Sequence, residues 1–188
     1  IDAKRSIRKD KTSVLQVFYK VFYDHIGLYG DDLKLAKLEQ YIIKKGKMDA
    51  FKEAFESIHG DSWEKARSEY VFFDTDVIDA LVQTGVMNEK SAEHWMEIDE
   101  ITNVTPESFV KEVKEYVDSK PKGFRLLFMI DEAGQYIGES SDMLLNLQTI
   151  VELLGSKCRG QVWVMATGQE ALDDMPIKLR QDEFSRIM

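Results

Sequence analysis

Two short apolar runs, "RLLFMI" and "QVWVMATG", are joined by the helix-period stretch "SDMLLNLQTIVELLGSK". An antiparallel strand pair can close with a tight turn, but a parallel pair needs a crossover of a dozen or more residues, commonly a helix. The spacing therefore predicts a strand, helix, strand unit with parallel strands. Parallel sheets are usually covered by helices on both sides, so both runs are expected to be buried on both faces. From Gly123 onward the chain reads as α/β.

The first run ends at once in two acids, Asp131 and Glu132. In open α/β sheets, ligands bind in the crevice at the carboxyl ends of the parallel strands, and these acids fall there. An apolar strand ending in Asp-Glu is the Walker B pattern of P-loop nucleotide hydrolases. The buried strand fixes the carboxylates, the Asp holds Mg²⁺, usually through water, and the Glu orients and deprotonates the attacking water. The second run ends in Thr167, with Gln169 just beyond, so a neighbouring strand tip offers polar groups to the same crevice. The plain alternative is that the acids cap a strand where the chain returns to solvent.

No G-x-x-x-x-G-K-[ST] loop occurs in the sequence, and the fragments "KKGKMD" and "LLGSKCRG" lack its order of residues. Without that loop no backbone cradle or lysine holds the phosphates. The sequence starts without Met and ends on "DEFSRIM", so it reads as an excised piece whose P-loop lies upstream of Ile1.

From Thr12 to about Lys120 the pattern is helical, with apolar residues recurring at three and four and Gly at the breaks. "TSVLQVFYKVFYDHIG" is apolar on more than one face and reads as a buried central helix. Its aromatics Phe18, Tyr19, Phe22 and Tyr23 have core spacing, although a stacking platform for bases is the alternative. "DDLKLAKLEQYIIKKG" carries acids at its start and lysines in its last turn, with Gly46 as its stop. Further helices are predicted at "MDAFKEAFESIHG", "DSWEKARSEYVFF", "DTDVIDALVQTG" and "NEKSAEHWMEID". In "TPESFVKEVKEYVDSKPKG", Thr105 is the predicted cap and Pro106 the first helical residue. The acids Asp74, Asp76 and Asp79 have the spacing of a helix start rather than of a Ca²⁺ loop.

The net charge of -9 and pI near 4.9 give no general attraction for nucleic acid or anionic membranes. Residues 1–50 nevertheless hold 11 basic and 7 acidic residues, a balance of +4, against 14 and 27, or -13, in the remainder. The basic start reads as a solvated face, with a phosphate contact as the alternative. The single cysteine, Cys158, excludes an internal disulfide and suits a reducing cytosol. No apolar run reaches the roughly 18 residues that span a bilayer, and "IDAKRSIRKDK" lacks the apolar stretch of a signal peptide. His25, His59 and His94 lack metal-helix spacing, and no Ser, His, Asp order or nucleophile elbow occurs.

Together, "LLFMIDEAGQYIG", "LLNLQTIVELLG", "CRGQVWVMATGQE" and "DEFSRI" resemble the P-loop ATPase of BREX phage-defence systems, the BrxC or PglY group. The resemblance is strongest from Leu126 to Arg186. It extends to "IDAKRS" and "KTSVLQVFYKVFYDHIGLYG", which in that family follow a strand after the P-loop, and the helical stretch between resembles the family's insertion before Walker B.

The implied fold is α/β, a partial P-loop NTPase parallel sheet of the ASCE or AAA-like kind with a large all-helical insertion. Residues 1–11 would end an upstream strand and linker, and 12–120 would form the helical insertion. Residues 121–188 would supply the Walker B strand, helix, sensor strand and C-terminal helical segment. By position, the resemblance implies Asp131 as the Mg²⁺-associated acid and Glu132 as the water-activating residue, both beside ATP. Thr167 would be the sensor, with Gln169 as its rival, and Arg186 or Arg180 an arginine finger toward a neighbouring subunit. The complete parent would be a cytoplasmic ATPase using ATP and Mg²⁺, whereas this piece, without a P-loop, is expected to be inert. The implied partners are further copies or other defence-system proteins, with DNA reached only through the complex and no membrane. Two other classes stand beside this one. The first is a non-enzymatic helical interaction or scaffold module with an α/β appendage; the second is a nucleic-acid binder, for which only the basic start speaks.

Overall fold

The computed structural model describes residues 13–98, 104–133, 137 and 140–167. They form two compact units, one containing residues 13–18 and 104–167 and the other residues 19–98. The result is a helix-rich α/β arrangement with a two-stranded parallel sheet among the described residues.

Helix α1, Ser13–His25, opens the described chain. In the sheet-bearing unit, α7 (Pro106–Asp118) starts at a capping box, in which Thr105 accepts from the Ser108 amide at 3.2 Å and Ser108 accepts from the Thr105 amide at 3.0 Å. This reciprocal pairing satisfies two amides that a helix start would leave unbonded. Strand β1 (Leu126–Ile130) follows, then α8 (Ser141–Lys157), capped by Ser140, and strand β2 (Val162–Ala166). The crossover is as predicted: β1 and β2 pair in parallel from Leu126↔Val162 to Ile130↔Ala166.

Strand side chains alternate between faces, and here the alternation separates core from solvent. Leu126, Phe128 and Val162 are buried. Phe128 meets Phe18 of α1 at 5.2 Å and Phe109 of α7 at 6.0 Å between ring centroids, and Phe18 and Phe109 are 5.7 Å apart. Met143, Leu147, Ile150 and Leu154 form the buried stripe of α8. On the opposite face Leu127, Met129, Trp163 and Met165 are 49%, 58%, 60% and 51% exposed. The strands are therefore covered on one face among the described residues, not on both as expected, because the described helices α1, α7 and α8 pack on the Phe128 side. Helix α7, which the sequence pattern groups with the preceding helices, belongs to the sheet-bearing unit because Phe109, Val110, Val113 and Val117 are its buried stripe.

The other unit contains α2 (Leu33–Lys44), α3 (Met48–His59), the one-turn α4 (Trp63–Ala66), a 3₁₀ segment (Arg67–Phe72), α5 (Asp74–Gln83) and α6 (Glu89–Glu97). Phe51 and Phe55 each pack edge-to-face with Trp63, at 5.0 Å between ring centroids. Into this apolar core α2 carries one acid, Glu39, which is 1% exposed. Its carboxylate accepts from Trp63 Nε1 at 2.8 Å, from Arg67 Nη1 at 2.9 Å and from the Tyr29 amide at 2.7 Å. A buried carboxylate is costly unless paired and hydrogen-bonded, and both conditions hold.

The single helix predicted over "DSWEKARSEYVFF" is instead α4 followed by the 3₁₀ segment, with Glu69 outside helical backbone angles. Residues three apart eclipse in a 3₁₀ turn, so Arg67 and Tyr70 share the inner side while Val71 and Phe72 are exposed. Phe18, Tyr19, Phe22 and Tyr23 are all buried, which makes them core residues rather than a stacking platform. Among the described residues, no helix is long and apolar enough to cross a membrane.

Two stability measurements test this division. Phe128→Ala is expected to cost about 3–5 kcal/mol in urea unfolding, whereas the exposed Met129→Ala should stay within about 0.5 kcal/mol. Glu39→Ala should cost about 3–5 kcal/mol, since it leaves the Arg67 charge without its carboxylate.

Candidate functional site

The carboxyl ends of β1 and β2 lie side by side because Ile130 pairs with Ala166. Asp131 and Thr167 are therefore adjacent strand-end residues, although they are 36 apart in sequence. The ladder runs one step beyond the strands: the Thr167 amide donates to the Ile130 carbonyl at 2.9 Å, and the Ala133 amide donates to the Thr167 carbonyl at 3.0 Å. The Thr167 hydroxyl donates to Asp131 Oδ1 and accepts from the Glu132 amide at 3.2 Å. A hydroxyl bonded to a carboxylate is a charge-assisted contact, stronger than a neutral one.

Glu132 takes a positive φ of 53°. This left-handed conformation costs a side-chain-bearing residue energy and is unusual for Glu. It lets the chain turn sharply at the strand end while the Glu132 amide points back to Thr167. Asp131 is exposed and Glu132 half-buried.

Asp131, Glu132 and Thr167, singled out from sequence, are thus brought together. Gln169, Arg180 and Arg186 lie outside the described residues. Among the described residues, no group of three or more His, Cys, Asp or Glu is arranged to hold a metal. That rules out a cage built from such side chains there, but Mg²⁺ keeps several waters and commonly takes one or two carboxylates together with substrate phosphates. An exposed Asp131 with one oxygen fixed by Thr167 fits such an ion, held through water.

The remaining candidates have structural roles. His59 Nδ1 lies 2.8 Å from Asp76 Oδ2, and its ring packs on Phe55 and Phe73. Asp74 and Asp76 occupy the first turn of α5, as their spacing predicts. Cys158 is buried, and that burial pushes its thiol pKa up, so the nucleophilic thiolate is disfavoured. The role of Glu39 was not read from sequence. Its signal is its position on the same helical stripe as Leu35, Leu38 and Ile42, where an acid must find partners inside a core.

No family profile matches the chain. No solved structure gives a significant match either.

Two measurements check the local geometry. Glu132→Gly should unfold within about 1 kcal/mol of wild type, while Glu132→Val, β-branched at a left-handed position, should cost about 1–2 kcal/mol. Cys158 should resist a thiol reagent in the folded chain at mildly alkaline pH and react fully in urea.

Proposed function

We propose that this chain supplies the metal-and-water side of the active site in an ATP-hydrolysing P-loop protein. Asp131 associates with Mg²⁺ through water, and Glu132 accepts a proton from the water that attacks the γ-phosphate. One observation carries the reading: two consecutive acids end a parallel strand, and the first is hydrogen-bonded to the tip of the neighbouring strand. A strand anchored through Phe128 on its covered face supports the rigidity that water positioning needs. Assignment to BREX phage defence rests on the sequence resemblance alone. With it come a cytoplasmic location and partners that are further copies or other defence-system proteins. Phosphate binding would fall to a P-loop that the 188 residues do not contain, and this chain alone is expected not to turn ATP over.

A second reading, a non-enzymatic interaction module, is favoured by the 84% exposure of Phe72 beside the exposed Val71. In that reading Asp131 and Glu132 are a strand cap.

The test is ATP hydrolysis by the parent extended through its P-loop, comparing wild type with Glu132→Gln. The expected outcome is turnover slowed by roughly 10²- to 10⁴-fold with ATP still bound, as for loss of a general base. Unchanged turnover would select the strand cap. Robust Mg²⁺-dependent turnover by the 188-residue chain would overturn its inertness.

A further inference from the structure

We propose that Thr167 is a positioning residue, whose hydroxyl clamps the Asp131 carboxylate and the Glu132 backbone instead of contacting a phosphate. The catalytic meaning of the clamp rests on the nucleotide-hydrolase reading above. Its geometry does not.

Thr167 engages four consecutive residues of the β1 corner. Its amide bonds Ile130, its hydroxyl bonds Asp131 and Glu132, and its carbonyl bonds Ala133. The hydroxyl is the part that backbone pairing does not supply. It has one hydrogen, and that hydrogen is committed to Asp131 Oδ1. A phosphate oxygen is an acceptor, so the same hydroxyl cannot donate to it without releasing Asp131. Its lone pair meanwhile receives the Glu132 amide, at the residue whose φ of 53° needs an external restraint. The clamp therefore fixes two things: the rotation of the Asp131 carboxylate, whose other oxygen would serve a metal-bound water, and the backbone turn at Glu132.

Valine has nearly the shape of threonine and suits a strand end, so Thr167→Val removes the hydroxyl while the backbone ladder remains. Thr167→Ser keeps the hydroxyl and provides the rescue. Amide hydrogen exchange is followed by NMR in the 188-residue chain, with Mn²⁺ then added as a paramagnetic probe. In Thr167→Val the Glu132 amide should exchange roughly fivefold faster, the value of one ordinary hydrogen bond. The Ala133 amide, bonded to a backbone carbonyl, should hold. In Thr167→Ser the Glu132 rate should stay within about twofold of wild type. Mn²⁺ should broaden residues 130–133 in wild type and need a several-fold higher concentration to do so in Thr167→Val.

An unchanged Glu132 rate in Thr167→Val overturns the clamp, as does equal acceleration in both variants, since the hydroxyl would then not be the restraint. Mn²⁺ broadening that is equal in wild type and Thr167→Val overturns its effect on the metal. Absence of broadening in wild type counts against the metal reading alone and leaves the exchange result to decide the clamp. Failure of one is thereby distinguished from failure of the other.

Discussion

The parallel pairing of β1 with β2 is the constraint on which the candidate site depends. Its register, ending at Ile130↔Ala166, brings Asp131 and Thr167 side by side. A slip of one residue would turn every side chain to the other face. Phe128 would then leave Phe18 and Phe109, and the strand-end residues would no longer match. The aromatic cluster under the sheet thus selects the register, and the register assembles the polar corner above it. Core packing and site geometry are two results of one alignment.

The helical unit solves a different problem. Its core includes a carboxylate, and the acceptor capacity of Glu39 is taken up by an indole, a guanidinium and a backbone amide drawn from three separate segments. Apolar contact alone tolerates many arrangements of Leu and Phe. Hydrogen bonds to Glu39 tolerate few, so the acid fixes where α4, the 3₁₀ segment and the Tyr29 turn meet α2. The short 3₁₀ segment follows from that demand: Arg67 and Tyr70 face inward together, which leaves Phe72 outside.

Much of this was legible in the sequence where the determining interactions are local. Helix α8 follows its apolar spacing to both ends, and Thr105 with Pro106 marks the start of α7. The meeting of Asp131 with Thr167 could also be read, because a crossover between two apolar runs aligns their carboxyl ends. What could not be read depends on distant partners. The break after Ala66 answers to Glu39, 28 residues before Arg67. The one-sided cover of the sheet among the described residues depends on which helices stack on Phe128, and Leu127 is as apolar a letter as Leu126. Glu132 has no intrinsic preference for a left-handed backbone, so that angle answers to distant contacts, the Thr167 hydroxyl among them.

The two units also differ optically. Trp63 lies buried with its indole nitrogen bonded to a carboxylate, whereas Trp163 is 60% exposed, with its nitrogen held by the Gly160 carbonyl at 3.1 Å. A held but hydrated indole emits at longer wavelength than a buried one and is reached by aqueous quenchers. Trp163 is thus a built-in fluorophore four residues along the chain from Thr167, and drying of its surroundings would register as a blue shift in its emission.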